Sequence, residues 1–163
     1  MYGEIFPEPE ALISDFPRLM GIDGKAKMSK SLNNAIYLSD SEKEVNEKIM
    51  QAKTDPARIH KDDPGHPEVC TVYHYHKAFN SDESDEIGER CRAGTIGCVA
   101  CKKRMAKKLN EFLDPMRERR KKYINNPELI DEIIKKGTER ARHEAEKTLK
   151  KVRQVMKIDY FTK

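Results

Sequence analysis

Proline and glycine divide this chain before any other feature does. Pro7, Pro9 and Pro17 are interleaved with Gly3, Gly21 and Gly24. A proline fixes φ and removes a donor, and a glycine raises the entropic cost of order, so no long regular element can form there. Residues 1–38 therefore read as irregular, with Ala35-Ile36-Tyr37-Leu38 as a short apolar run, a strand or a packed turn. From Ser39 onward the pattern is helical. Ser39 and Glu42 are spaced as a capping box, and Val45, Ile49 and Ala52 recur on one helix face. That helix should end before Thr54-Asp55-Pro56, since a residue ahead of proline avoids the α region.

A loop rich in Asp, Pro, Gly and His spans 55–67. A second helix is predicted over 67–79, with Pro67 in its first turn and Val69, Val72, Tyr73, His76 and Phe79 on one face. A short acidic segment follows, anchored by Ile87, and then a turn over 93–97. A long basic helix is predicted over 98–125, striped by Met105, Leu109, Phe112 and Leu113 and kinked or divided at Pro115. The last helical region starts at Pro127, should break near Gly137 and reach about Ile158, with Ala141, Ala145, Leu149, Val152 and Met156 as its stripe. The fold class is mainly α.

Apolar and charged residues each make up 37% of the chain, too few apolar groups for a self-sufficient globule. Long half-exposed helices, or a piece that packs on something else, are the expectation. No apolar run approaches the ~18 residues that cross a membrane. The first residues have no basic region followed by an apolar stretch, so no signal peptide is expected and a cytoplasmic location is. The net charge of +4 is uneven: residues 102–163 hold 20 Lys and Arg against 10 Asp and Glu, and the remainder is acidic. A basic helical half suits a nucleic-acid backbone, because each neutralised phosphate releases counterions. A solvated face with acid–base pairs such as Glu146 and Lys150 accounts for the charge equally well.

Two segments carry chemistry. Lys27-Met28-Ser29-Lys30-Ser31 places two ammonium groups and two hydroxyls just after Gly21 and Gly24. Lysines act as mobile point charges, hydroxyls add donors, and glycines admit backbone N–H groups, so the segment can wrap a polyphosphate. The second is the cysteine set Cys70, Cys91, Cys98 and Cys101, spaced C-x20-C-x6-C-x2-C. The last pair is a chelating unit. Zinc and an iron–sulfur cluster both take four thiolates, disulfides would require an oxidising compartment, and unligated buried thiols are the plain alternative. His66, His74 and His76 lie near Cys70 in sequence, but four cysteines already fill a tetrahedral site, and His76 on an apolar face reads as a packed core residue.

The pentapeptide matches the ATP-binding signature loop of class I aminoacyl-tRNA synthetases. Gly21-Ile22-Asp23-Gly24, Leu32-Asn33-Asn34, Lys53-Thr54-Asp55-Pro56, Asp63-Pro64-Gly65-His66-Pro67-Glu68 and Gly137-Thr138-Glu139-Arg140-Ala141-Arg142 extend the match over nearly the whole chain. Together they resemble the bacterial tryptophanyl-tRNA synthetases. The Asp-Pro-Gly-His-Pro segment and the cysteine pattern set it apart from the tyrosyl enzymes, which share the loop.

The resemblance implies a reaction in which tryptophan's carboxylate attacks the α-phosphate of ATP, bound with Mg2+, and the amino acid then passes to tRNA(Trp). Lys27 and Lys30 would meet the triphosphate, with Lys30 the main group stabilising the departing pyrophosphate. Met28, Ser29 and Ser31 complete the loop, with Ser29 and backbone N–H groups assisting. The cysteine spacing is similar to that of a subgroup with a 4Fe-4S cluster in the anticodon-binding domain, which would make Cys70, Cys91, Cys98 and Cys101 its ligands, with zinc as the alternative.

Residues 1–38 would then be the tail of an α/β, Rossmann-like catalytic domain. Residues 39–163 would be a helical anticodon-binding domain, its last helix packing back on the catalytic one. No His-x-Gly-His motif occurs in the chain. The expectation is a C-terminal portion, inactive alone, that meets tryptophan only through the missing half of a homodimeric enzyme. A stand-alone RNA-binding module with a structural metal is the alternative.

Overall fold

A computed structural model describes residues 2–160, and the chain is mainly helical. The elements are α1 (Glu42–Gln51), a 3-10 turn (Pro67–Val69), α2 (Thr71–Phe79), α3 (Ser81–Arg92), α4 (Cys98–Ile124) and α5 (Pro127–Met156). Among the described residues there is no β-strand, and extended pairing is limited to one bridge between Met20 and Lys27. No described helix is long and apolar enough to cross a membrane.

Contacts group the chain into two compact units, residues 13–119 and residues 1–12 with 120–163. The first holds the core. Val45 and Ile49 from α1 and Ala52 at its C-cap, Val72 and Tyr75 from α2, Ile87 from α3 and Met105, Leu109 and Leu113 from α4 are all buried there. Burial of each large aliphatic side chain contributes roughly 1.5–3 kcal/mol. Ile22, Met28 and Ile36 of the irregular segment pack against the same cluster.

Several details differ from the predicted ones. The capping box of α1 is Ser41 with Glu44, not Ser39 with Glu42: Ser41 N donates to Glu44 Oε2 at 2.7 Å, and Glu44 N donates to Ser41 Oγ at 3.3 Å. The reason lies at Asp40, whose carboxylate closes a turn by accepting Tyr37 N at 2.8 Å and Lys48 Nζ at 2.6 Å. The run 35–38 leads into that turn and forms no strand. Val69 is 60% exposed because the 3-10 turn resets the register before α2, and Tyr75 takes the buried place, its hydroxyl donating to Met20 O at 2.5 Å. The acidic segment is the full helix α3. Pro115 does not divide α4, and Phe112 of the predicted stripe stays 47% exposed.

In the second unit, α5 does not break at Gly137. Nothing lies within 4 Å of where a Gly137 side chain would start, and one exposed glycine costs a helix only about 1 kcal/mol. Asn126 caps α5 by accepting Leu129 N at 3.2 Å, and Lys157 ends it at φ 56°. No residue of α5 is buried, so its apolar stripe lies open.

Candidate functional site

The polyphosphate-binding candidate is built from the backbone up. Gly21 N donates to Ala26 O at 2.7 Å and Met28 N to Leu19 O at 3.1 Å, which folds residues 19–28 back on themselves. Asn34, only 2% exposed, latches the far end. Its Oδ1 accepts Ser29 N at 2.8 Å, and its Nδ2 donates to Lys27 O at 3.3 Å and Asp23 Oδ2 at 3.2 Å. A Cβ on Gly21 would stand 2.2 Å from Asn34 Nδ2, so only glycine admits the latch. The N–H of Lys25, with other hydrogen bonds, holds the Asp23 carboxyl below its ordinary range.

On this frame Lys27, Lys30 and Ser31 are exposed, Ser29 and Met28 are half-buried, and the Ser29 and Ser31 hydroxyls lie 2.9 Å apart. Among the described residues neither Lys27 nor Lys30 has a carboxylate within ion-pair distance. Met28 roots the segment in the core while its cations face solvent.

The four cysteines form a second centre. Cys70 precedes α2, Cys91 lies in the last turn of α3, and Cys98 and Cys101 open α4. All four are free thiols. Burial and the fields of Cys70, Cys91 and Cys98 push the Cys101 thiol up to about 12. Burial likewise raises Cys70 and Cys91. A Cβ on Gly65 would come within 2.6 Å of Cys91 Sγ, so the loop backbone must pass close to that sulfur. The Arg58 guanidinium sits among the thiols, its Nη1 3.8 Å from Cys91 Sγ and 3.9 Å from Cys98 Sγ. In that arrangement, among the described residues, no group of three His, Cys, Asp or Glu side chains is placed to hold a metal ion.

The loop that carries Arg58 is pinned at its ends. Asp55 accepts Ala57 N at 2.9 Å, His66 N at 2.7 Å and His66 Nδ1 at 2.8 Å. Burial pushes the Asp55 carboxyl up, but these bonds outweigh it and hold it below its ordinary value. His74 bonds Glu68 O at 3.0 Å, and fully buried His76 faces Cys101. Arg58, His60, Lys61, Cys98, Val99 and Lys103 line a groove of ≈ 570 Å³ beside this loop. The basic character of α4 is partly internal: Arg104 and Lys108 pair with Glu83 at 2.9 and 3.7 Å, and Arg117 with Asp114 at 2.7 Å.

Comparison with known proteins decides the family. Residues 1–114 match the family of class I tRNA synthetases for tryptophan and tyrosine. The chain belongs to that family. Curated relatives include a tryptophan–tRNA ligase from Aquifex aeolicus, 46% identical over 97% of this chain and 40% of the relative. Another, from Thermotoga maritima, is 45% identical over 97% of this chain and 48% of the relative. A tryptophanyl-tRNA synthetase structure from Campylobacter jejuni, in complex with ADP and tryptophan, superposes with a TM-score of 0.75 at 29% identity, over 95% of this chain and 48% of that one. The chain thus spans about half the length of the relatives it matches.

For this class I synthetase chain, Lys27 and Lys30 stand together on one exposed segment, as their spacing suggests. The supporting polar groups escape a motif search. Asn34 and Asp23 look like turn residues, and Arg58 is one basic residue in a charged loop. Their only signal is proximity to the signature segment or to proline and glycine.

Proposed function

We propose that this chain forms part of an enzyme that activates tryptophan with ATP and transfers it to tRNA(Trp). One observation carries the proposal. In a chain 46% identical to a tryptophan–tRNA ligase, the Asn34 latch presents Lys27 and Lys30 to solvent with no carboxylate partner among the described residues. Unpaired ammonium groups on a rigid backbone suit a polyanion, here the triphosphate of Mg2+-bound ATP. Lys30 meets the charge that develops on pyrophosphate, Lys27 and Ser29 hold the phosphates, and Ser31 positions Ser29. Residues 1–38 act as the tail of the catalytic domain. Residues 39–163 act as the anticodon-binding domain, with α5 packing its open stripe on the catalytic half of a cytoplasmic, homodimeric enzyme.

We also propose that Cys70, Cys91, Cys98 and Cys101 hold a four-thiolate group, a 4Fe-4S cluster or zinc. The fit rests on the donor set and its surroundings. Cys70, Cys91 and Cys98 lie close enough to raise the proton affinity of Cys101, the loop backbone is stripped to glycine beside Cys91, and a cation is drawn in beside two of the sulfurs. Both candidate groups are anionic with four thiolates, and a cation beside them offsets that charge. Such a group ties α2, α3 and the start of α4 together.

ATP–pyrophosphate exchange tests the first proposal. The 163-residue chain alone should show background exchange with tryptophan, and the whole ligase containing it should be active and lose activity when Lys30 is replaced. Exchange above background from the chain alone overturns the division between the two halves. Full exchange in the whole ligase without Lys30 overturns the role of the loop.

A further inference from the structure

Lys30 sits in a tight turn between two anchors. Ahead of it, Ser29 N donates to Asn34 Oδ1 at 2.8 Å. After it, Asn33 N donates to Lys30 O at 3.2 Å, and Asn33 takes φ 49°, a left-handed conformation that asparagine tolerates. That reversal brings Asn34 back against Ser29. The Asn34 main chain is fixed as well, its O accepting Ile22 N at 2.9 Å. The backbone does not fix which way round the Asn34 amide lies, since its oxygen and its NH2 group have nearly the same shape.

Three neighbours decide it. Ser29 N is a donor and must meet the oxygen. Lys27 O, at 3.3 Å, and Asp23 Oδ2, at 3.2 Å, are acceptors and must meet the NH2 group. Of the two acceptors only Asp23 carries charge, and a hydrogen bond to a charged group is about twice as strong as a neutral one. Asp23 is itself aimed: Lys25 N donates to its Oδ1 at 3.2 Å, which leaves Oδ2 for Asn34. Gly21 leaves room for both, because a Cβ there would lie 2.2 Å from Asn34 Nδ2 and 2.8 Å from Asp23 Oδ1. The relay from Lys25 N through Asp23 and Asn34 to Ser29 N therefore has one polarity along its length. Asn34 is buried, so a reversed amide would press NH2 against the Ser29 N–H and oxygen against two acceptors, with solvent excluded.

We infer that Asp23 is a positioning residue of the signature segment: it sets the orientation of the Asn34 amide and, through it, the place of Ser29 and Lys30. The inference rests on the ATP reading above. Asp23 acts only through Asn34. Displacing a reacting group by about 1 Å can cost about 10²-fold in rate, and that is the scale on which a reversed amide matters.

The test reverses the polarity and then restores it. In Asp23→Asn the oxygen stays with Lys25 N, and an NH2 group now faces the NH2 group of Asn34. In the double variant Asp23→Asn/Asn34→Asp, that NH2 group donates to a carboxylate whose other oxygen still accepts Ser29 N. Amide hydrogen exchange reads the relay in the 163-residue chain. The Ser29 N–H should be protected in the wild type, exchange about tenfold faster in Asp23→Asn, and be protected again in the double variant. In the whole ligase, Asp23→Asn should lower kcat for ATP–pyrophosphate exchange about 10–100-fold and leave the KM for tryptophan unchanged. The double variant should recover part of kcat, since Lys27 O stays without its donor.

Either wild-type protection at Ser29 or wild-type kcat in a folded Asp23→Asn overturns the role of Asp23. A lowered kcat that the double variant does not raise overturns the path through Asn34. If Asp23→Asn does not fold by circular dichroism, Asp23→Ser, a neutral acceptor, must still lower kcat or the role falls. Failure of the ATP reading looks different: ATP–pyrophosphate exchange then survives in Lys30→Ala, whereas protection at Ser29 is measured on the chain alone and needs no nucleotide.

Discussion

The signature segment and the cysteine centre use positive charge in opposite ways. At the segment, a buried amide latch holds the backbone and sends Lys27 and Lys30 outward. At the centre, a pinned loop turns Arg58 inward onto the sulfurs. The first arrangement is open and, among the described residues, pairs neither lysine with a carboxylate, so it suits a ligand that arrives and leaves. The second brings a guanidinium to two of its four sulfurs, so it suits a resident anionic group. The two are built on the same core, since Met28 packs against the buried cluster to which Cys70 belongs.

The largest expected effect separates the two regions by chemistry. In the whole ligase, Lys30→Ala should lower the rate of ATP–pyrophosphate exchange about 10²–10³-fold, the size expected when one donor to developing charge is removed. The KM for tryptophan should hardly move. A loss confined to KM for ATP, with kcat intact, would mean that Lys30 binds the ground state only and would blunt the contrast.

A smaller effect separates them by structure. Asn34→Ala removes the acceptor of Ser29 N and the donor to Lys27 O. Leaving such partly buried groups unpaired should cost about 1–3 kcal/mol in urea denaturation. Zinc affinity at the cysteine centre should be unchanged, because the latch touches none of its residues. An equal fall in zinc affinity would show that the two regions are one cooperative site.

What could be read ahead of the structure follows from periodicity. Val45, Ile49, Met105, Leu109 and Leu113 recur at helical spacing and are buried, and Ile87 stands out as the one aliphatic residue in an acidic stretch and is buried too. Local competition explains the misses. Asp40 satisfies Tyr37 and Lys48, which moves the cap to Ser41, and a single 3-10 turn exchanges Val69 for Tyr75. The stripe of α5 was legible as a stripe, but periodicity reports that a face is apolar and says nothing of what covers it. The cysteines and lysines announce themselves by type and spacing. Asn34 and Arg58 do not, because their roles depend on contacts with residues outside their own local pattern.

The last comparison needs a region shared by both sites, and α1 provides it. Lys53, just past its end, donates its N–H to Ile22 O at 2.9 Å on the signature side, and the chain then enters the Asp55 loop on the cysteine side. At its start, the Ser41 hydroxyl and then the Ser41 N–H hold the Glu44 carboxyl below its ordinary 4.5. A carboxyl whose folded pKa is depressed contributes stability above its unfolded value, and that contribution is lost as pH falls through the lower folded one. Glu44→Gln should therefore be less stable than the wild type at pH 7, and the difference should shrink below about pH 4.5 and vanish once both folded and unfolded carboxyls are protonated. The measurement is urea denaturation across that range. Because α1 leads to both regions, the variant should leave the contrast between them intact, with neither zinc affinity nor exchange by the whole ligase altered at pH 7. A selective loss at one region would show that the capped end of α1 belongs to it.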